Sequence, residues 1–398
     1  MGDTRTRALL AGVVFAVLFA QVLLYPGVDT LVTALGARTQ LDASMWFLAV
    51  EFAGFIAAAT LWGATSDAAG RRTPFVAAGA LGGAAGYLAL AALPAVATVP
   101  FTGVLVLRFL QGATTIGAFS LAMTSLMDLG GGQGRNMGAA GLAIGLGTAL
   151  GAPVGGQLYE LGPFVPLYVA AAVLLGAAGL TALLTTAVPD PNRHPMGRIV
   201  AGLRRRPSLL LPYAFGFIDR LTAGFFALVG TLYFRSAFSL GPGATGLMLA
   251  LFFAPFALLQ YPMGVVSDRI GRTGPVVVGS LCYGVGVAGV GLAPTVGLAG
   301  AGMVLVGVFG ALMAPATMAL VTGLAGTTER GVAMAGFNSF GSLGFLVGIL
   351  GGGTLADVYG FREAFLVTGG LEVALALLAV PLLLRLERPA DGVGRVES

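Results

Sequence analysis

Long apolar runs separated by short polar connections dominate the sequence. An apolar run of ~20 residues can form a helix that crosses a ~30 Å hydrocarbon core. Membrane β-strands would instead alternate apolar and polar positions over ~10 residues. The pattern therefore predicts twelve transmembrane helices, at 8–34, 43–64, 73–94, 100–124, 136–158, 164–187, 209–233, 243–265, 274–293, 298–323, 331–353 and 362–385.

A polar connection divides the twelve runs into two sets of six. Residues 188–208 contain four prolines and end close after three consecutive arginines. We predict an N-terminal six-helix bundle over 1–187, a cytoplasmic inter-domain linker over 188–208, and a C-terminal six-helix bundle with a short cytoplasmic tail over 209–398. The predicted fold class is all-α, a polytopic membrane protein of two pseudo-symmetric bundles.

The two halves repeat one another in sequence. Each loop after the second run of a half carries the same pattern, 201 positions apart: Gly63, Asp67, Gly70 and Arg71 recur as Gly264, Asp268, Gly271 and Arg272. This spacing indicates an internal duplication of a whole six-helix unit. Parallel repeats place the substrate path between the halves, which rock to open it to one side at a time.

The duplicated loop resembles the signature of the major facilitator superfamily. The resemblance implies a conformational latch, in which Asp67 and Asp268 accept hydrogen bonds from a neighbouring helix end. We expect Arg71, Arg72, Arg269 and Arg272 to stay in cytoplasmic water and meet anionic lipid headgroups. The alternative is a plain polar turn that only orients the chain.

Composition and charge place this chain in a membrane. Hydrophobic residues make up 57% and charged residues 10%, against the ~45–50% and ~25% of a soluble chain. The predicted topology puts sixteen arginines on the side of the termini and three, Arg38, Arg235 and Arg362, on the other. By the positive-inside rule both termini are cytoplasmic, in a multi-pass protein of the cell membrane.

The single cysteine and the single histidine restrict the chemistry. One cysteine excludes an intrachain disulfide and a cysteine metal cluster, and His194 lies in a polar loop. No Ser-His-Asp set can be built around it, so we expect neither enzymatic activity nor a metal. No phosphate-binding Gly-Lys-Ser/Thr loop is present, so we expect no ATP-driven transport. Proton transfer would fall to carboxylates.

Glycines recur every four residues in the fifth run. Gly147, Gly151 and Gly155, followed by Gly156, lie along one helical ridge and let helices approach closely. The pattern looks like the glycine-rich signature of the drug:proton antiporter branch, although Ala152 stands where that signature has proline. A packing-only ridge is the alternative, since the eleventh run has a similar one.

We single out five charged residues within the predicted spans: Asp29, Glu51, Arg108, Asp219 and Arg220. Each costs about 2.5–3.5 kcal/mol at a helix centre and needs a partner, a wet cavity or a task. Arg108, followed by Gln111 and Gly112, is similar to the superfamily's fourth-helix signature, which is often tied to proton transfer.

Counted from the helix ends, Asp29, Glu51 and Arg108 lie at comparable depth, and we predict that they form a triad with Glu51 as the proton carrier. A fixed structural Glu51–Arg108 pair, and an Asp29 at the wet rim, are the alternatives.

The seventh run supplies a further candidate site. Asp219 is a candidate cation or proton site. Alternatively, it pairs with the backbone of another helix or with Asn338. The adjacent Arg220 points about 100° away along the helix and is not its straightforward partner. Candidate substrate-cavity residues, each of which could also be satisfied within the bundle, are Gln21, Tyr25, Gln111, Arg220, Gln260 and Asn338.

These features together predict a monomer-sized secondary transporter for a small molecule. The resemblance implies a proton-coupled exporter of lipophilic or cationic compounds, with the proton gradient as energy source, no cofactor, and lipids as surroundings rather than nucleic acid as partner. A symporter or facilitator for a sugar, organic acid or other metabolite is the main alternative. A lipid flippase and a non-transporting receptor are further ones.

Overall fold

The structure, a computed structural model, describes residues 2–96, 99–130, 133–184, 202–325 and 329–387. We number the long helices α1 to α12. They are α1 (Thr4–Ala34), α2 (Leu41–Ala68), α3 (Thr73–Val96), α4 (Phe101–Asp128), α5 (Gln133–Leu161), α6 (Val165–Thr181), α7 (Pro207–Ala237), α8 (Pro242–Ile270), α9 (Thr273–Leu292), α10 (Val296–Leu324), α11 (Arg330–Tyr359) and α12 (Phe361–Glu387).

The first helix of each half is irregular. In α1, the α-helix that ends at Val22 gives way to a 3-10 turn at Tyr25–Gly27 before Val28–Ala34, because Pro26 has no N–H to donate. In α7, Leu210–Phe225 passes through a π-helical turn before Thr231–Ala237. Such π-helical turns inside α-helices are frequent at functional sites.

The all-α membrane fold is confirmed. Among the described residues, eleven helices are long and apolar enough to cross a membrane, and Val165–Thr181 is a shorter apolar helix. The bundle boundaries stay a prediction, because residues 188–201 of the predicted linker and the tail beyond Glu387 lie outside the described residues.

Glycine determines how closely the helices approach. A Cβ added to Gly112 of α4 would lie 2.5 Å from the Glu51 carbonyl oxygen of α2, and one added to Gly54 would lie 2.4 Å from the Phe109 carbonyl oxygen. No real Cβ tolerates such distances, so α2 and α4 touch through their backbones. This contact lies beside the charged residue Glu51.

The two halves touch near the middle of the bundle, where Phe52 stacks on Phe345, and at one end, which we call the far end because it is opposite the start of α1. Within the described parts of the chain, four cross-half hydrogen bonds lie there. They are Arg235 to Asp29, Arg235 to Thr30, the Gly243 backbone N–H to Glu160, and Thr354 to the Met45 sulfur. The far end is therefore closed in this conformation.

Candidate coupling site

A buried ion pair joins α2 and α4 within the membrane-spanning region. Arg108 Nη2 donates to Glu51 Oε2 at 2.6 Å, and both side chains are fully buried. Glu51 is one turn from the backbone contact at Gly54, so neither helix can move without moving the pair. The predicted association of Glu51 with Arg108 agrees with this geometry.

A polar chain extends from the pair along α4. Arg108 Nη1 donates to Gln111 Oε1 at 2.6 Å, and Gln111 Nε2 donates to Thr115 Oγ1 at 2.8 Å. The guanidinium also lies over the Phe47 ring, 4.7 Å from its centroid, and 5.5 Å from that of Tyr87. Arg108 therefore keeps polar and aromatic partners even when Glu51 is neutral.

The first helix adds a third side to this site. The amide of Gln21 approaches Glu51, yet neither Glu51 Oε1 nor Gln21 Nε2 completes a hydrogen bond. Buried Tyr25 also lies within electrostatic range of Glu51 and Arg108. One oxygen of the carboxylate is thus open to a proton or to a further donor.

The predicted triad is wrong in its third member. Asp29 Oδ2 accepts from Arg235 Nε of α7 at 2.5 Å, so it belongs to the far-end closure and not to the Glu51 pair. Arg235, predicted as an outer-loop residue, ends α7 with only 19% of its side chain exposed. The sequence predicts how deep Asp29 lies along α1, but not the direction in which its side chain points.

The charges of α7 lie apart from Glu51. Asp219 is buried and Arg220 is half exposed, with Arg220 Nε 3.8 Å from Asp219 Oδ2. The adjacent residues are therefore in loose contact only, and the prediction that Arg220 is not the straightforward partner of Asp219 agrees with this distance. Asn338 is exposed and Gln260 half-buried, and the structure shows no contact of either with Asp219.

Sequence reasoning missed Glu372, which is fully buried at the middle of α12. Ser280 of α9 donates to Glu372 Oε1. The signal was available, because a lone acid among apolar residues is the pattern that identified Glu51. Among the described residues, no group of three or more His, Cys, Asp or Glu side chains could hold a metal ion.

The duplicated loops differ in their contacts. Gly70 and Gly271 both adopt positive φ, 63° and 92°, which explains why glycine recurs after α2 and α8. The expectation that Arg72 stays in water is wrong. Its side chain is 1% exposed and pairs with Asp128, and its Nη2 lies 3.6 Å from Asp67 Oδ1. Burying an unpaired guanidinium would carry a large free-energy cost, which these two carboxylates offset.

The remaining latch residues lie at the surface or close to it. Arg272 is half-buried and donates to the Ala319 carbonyl at 2.7 Å, whereas Arg71, Asp268 and Arg269 are exposed. Gly264 has room for a Cβ, and one added to Gly63 would meet open space. A role of these loops as a latch stays a prediction.

The α5 glycines are sites of close packing. A Cβ on Gly147, Gly151 or Gly155 would lie within 3.0 Å of α1 atoms, and one on Gly156 within 2.5 Å of the Pro242 carbonyl of α8. The first three glycines therefore pack α5 against α1 inside its own half, and Gly156 packs it against α8 of the other half.

Two half-chain repeats, charges buried between spans and closure at one end are typical of membrane transport proteins. The Major Facilitator Superfamily family model matches residues 10–234 and 213–398. This chain belongs to that family of transporters.

Curated relatives match over part of their length. An uncharacterized MFS-type transporter of Methanocaldococcus jannaschii is 33% identical over 171 residues, 41% of this chain and 42% of that protein. A multidrug efflux pump of Mycolicibacterium smegmatis is 29% identical over 137 residues, 34% of this chain and 27% of that one. The aligned part of this chain thus spans less than half of each relative.

Solved structures share the whole fold. A bacterial homologue of the human lysosomal transporter Spinster, in an inward-facing conformation, has a TM-score of 0.80 at 14% identity, covering 98% of this chain and 99% of that one. The nucleoside transporter NupG has a TM-score of 0.73 at 15% identity, with 94% and 99% covered. At these identities the likeness concerns the fold alone.

Proposed function

We propose that this transporter exports lipophilic or cationic compounds across the cell membrane in exchange for protons, with Glu51 as a proton carrier. The observation that carries the proposal is the fully buried Glu51–Arg108 pair, whose second carboxylate oxygen lacks a hydrogen bond. Support also comes from two relatives, named as a multidrug efflux pump and a puromycin resistance protein.

Protonation of Glu51 would change the contact between α2 and α4. The ionised carboxylate holds Arg108 at 2.6 Å, whereas the neutral acid loses the charge attraction and leaves the guanidinium to Gln111 and two aromatic rings. Because the two helices touch through glycine at this level, a shift of the pair moves them together.

Coupling then follows from reciprocity. If the conformation that binds substrate favours ionised Glu51, substrate entry promotes proton loss, and proton uptake promotes substrate release. With the termini in the cytoplasm, closure of the far end makes this the inward-facing conformation. Glu51 would take its proton after the far end opens.

Proteoliposomes with an imposed pH gradient test the proposal. Ethidium is a suitable lipophilic cation, and nucleosides and organic anions serve as comparison substrates. We expect the gradient to drive ethidium movement in the wild type, and Glu51→Gln to lose gradient-driven movement but keep ethidium exchange. Exposed Glu363 of α12 provides the matched control Glu363→Gln, which should behave as the wild type. Gradient-driven ethidium movement by Glu51→Gln at the wild-type rate contradicts the proposal, and transport of nucleosides or anions alone favours a metabolite carrier.

A further inference from the structure

A second buried polar cluster lies in the C-terminal half, formed by α7, α9 and α12. Its carboxylates are Asp219 and Glu372, which lie within electrostatic range of each other. Its hydroxyls are Ser280, Tyr283 and Thr222, all buried. The helices pack closely enough that a Cβ on Gly284 would lie 3.0 Å from the Glu372 Cβ.

Several polar atoms of this cluster are buried without a hydrogen-bond partner. They are Glu372 Oε2, the Tyr283 hydroxyl and the Thr222 hydroxyl. Tyr283 lies close to Thr222 and within electrostatic range of both carboxylates. Natural proteins rarely leave such groups unsatisfied, so each one calls for an explanation.

The charge balance indicates which ligand completes the cluster. Arg220 Nε lies 3.8 Å from Asp219 Oδ2. Glu372 accepts from the neutral Ser280 hydroxyl of α9, and the other groups within its electrostatic range, Tyr283 of α9 and Asp219 of α7, are also neutral or acidic. Two like charges at one buried site are disfavoured. A single proton on Glu372 removes the repulsion and also supplies a hydrogen-bond donor.

We propose that Glu372 and Asp219 form a second proton-binding site, in which Glu372 holds the proton and Asp219 exchanges it with the surface. Asp219 is suited to this because 11% of its side chain remains exposed, whereas Glu372 has no exposed surface. The proton leaves the Asp219 carboxyl and joins the Glu372 carboxylate, so one group ionises as the other becomes neutral. Only the use of this proton in transport rests on the proposed function.

Infrared difference spectroscopy of the purified full-length protein in lipid nanodiscs tests the site without any substrate. A protonated carboxyl group has a C=O stretch that an ionised one lacks. We expect the wild type to show this band for a buried acid, and Glu372→Gln to lose one component of it. Glu363→Gln is the control on the same helix and should keep every component. Glu51→Gln should keep the Glu372 component whether or not Glu51 couples transport.

A second variant covers the case in which Glu372→Gln fails to fold. Ser280→Ala removes the hydroxyl that donates to Glu372 Oε1, so the same C=O band should move to higher frequency. Bands unchanged in both variants overturn the proposal. So does a wild type that shows no such band at any pH while sodium ions raise its unfolding temperature, because this cluster would then be a cation site.

Discussion

Asp29 and Arg235 are 206 positions apart, yet the Asp29 carboxylate accepts a 2.5 Å hydrogen bond from the Arg235 guanidinium. The pair joins the final segment of α1, Val28–Ala34, to the last turn of α7. The neighbouring bond from Gly243 to Glu160 joins α8 to α5 at the same end. Polar contacts therefore contribute to closure of the far end, beside the close glycine packing of α5 on α8.

Asp29→Asn should open the far end. The variant leaves Arg235 largely buried with a weaker partner, and breaking a buried pair by removing one charge costs about 3–5 kcal/mol, reduced here because Arg235 is 19% exposed. Spin labels at exposed Leu161 and Ser239 should report a longer distance. The double variant Asp29→Arg with Arg235→Asp should restore the short one, and an unchanged distance in Asp29→Asn would show that the pair does not hold the end.

Gly112→Ala should destabilise the protein. The new methyl group would lie 2.5 Å from the Glu51 carbonyl oxygen, and such overpacking costs about 1–3 kcal/mol. Thermal unfolding in detergent measures the effect. Gly103→Ala is the control on the same helix, because its Cβ makes only ordinary contacts with Val99, and it should be neutral or slightly stabilising. Equal unfolding temperatures for the two variants would contradict the close contact of α2 with α4.

Gly155→Val and Gly156→Val should have different effects despite their adjacency. Gly155 faces Leu23 of α1 within one half, whereas Gly156 faces Pro242 and Gly246 of α8 across the halves. We expect the first variant to lower the unfolding temperature and the second mainly to lengthen the Leu161–Ser239 spin-label distance. Gly141 of the same helix has open space around it, so Gly141→Val should change neither. A longer Leu161–Ser239 distance in the Gly155 variant alone would contradict the assignment of Gly155 to the interface within one half and of Gly156 to the interface across the halves.

Arg72→Ala should lower stability, whereas Arg71→Ala should not. Arg72 is 1% exposed and pairs with Asp128, and a hydrogen bond between charged groups contributes about 1.5–3 kcal/mol. Arg71 is exposed, so its loss should stay within about 0.5 kcal/mol. Chemical denaturation of the two variants side by side measures the difference. Similar losses would mean that the loop acts only through its total positive charge.

The sequence predicts the helices of this fold well and the partners of its charges poorly. Apolar runs determine which segments span the membrane, and the 201-residue repeat identifies the halves. The Glu51–Arg108 pair was accessible because both residues lie near the middle of spans in the same half. Asp29 was misassigned because its partner, Arg235, comes from the other half and nothing in the sequence fixes the rotation of α1.

Arg72 and Glu372 show two further limits. Arg72 and Arg71 are adjacent and chemically identical, but the connection between α2 and α3 buries only Arg72, against Asp128. Glu372 could have been recognised as an acid in an apolar run, whereas its contact with Ser280 depends on how α9 packs against α12. The sequence shows which positions carry charged or polar side chains, but it does not show which side chains of distant helices come into contact.

Proton release on substrate binding tests the coupling role of Glu51 most directly. The purified transporter in weakly buffered detergent solution is titrated with ethidium while a pH indicator records released protons. We predict that the wild type and Glu363→Gln release protons in proportion to bound ethidium, and that Glu51→Gln binds ethidium but releases fewer. Equal release by Glu51→Gln and the wild type would contradict the assignment of Glu51 as a proton carrier.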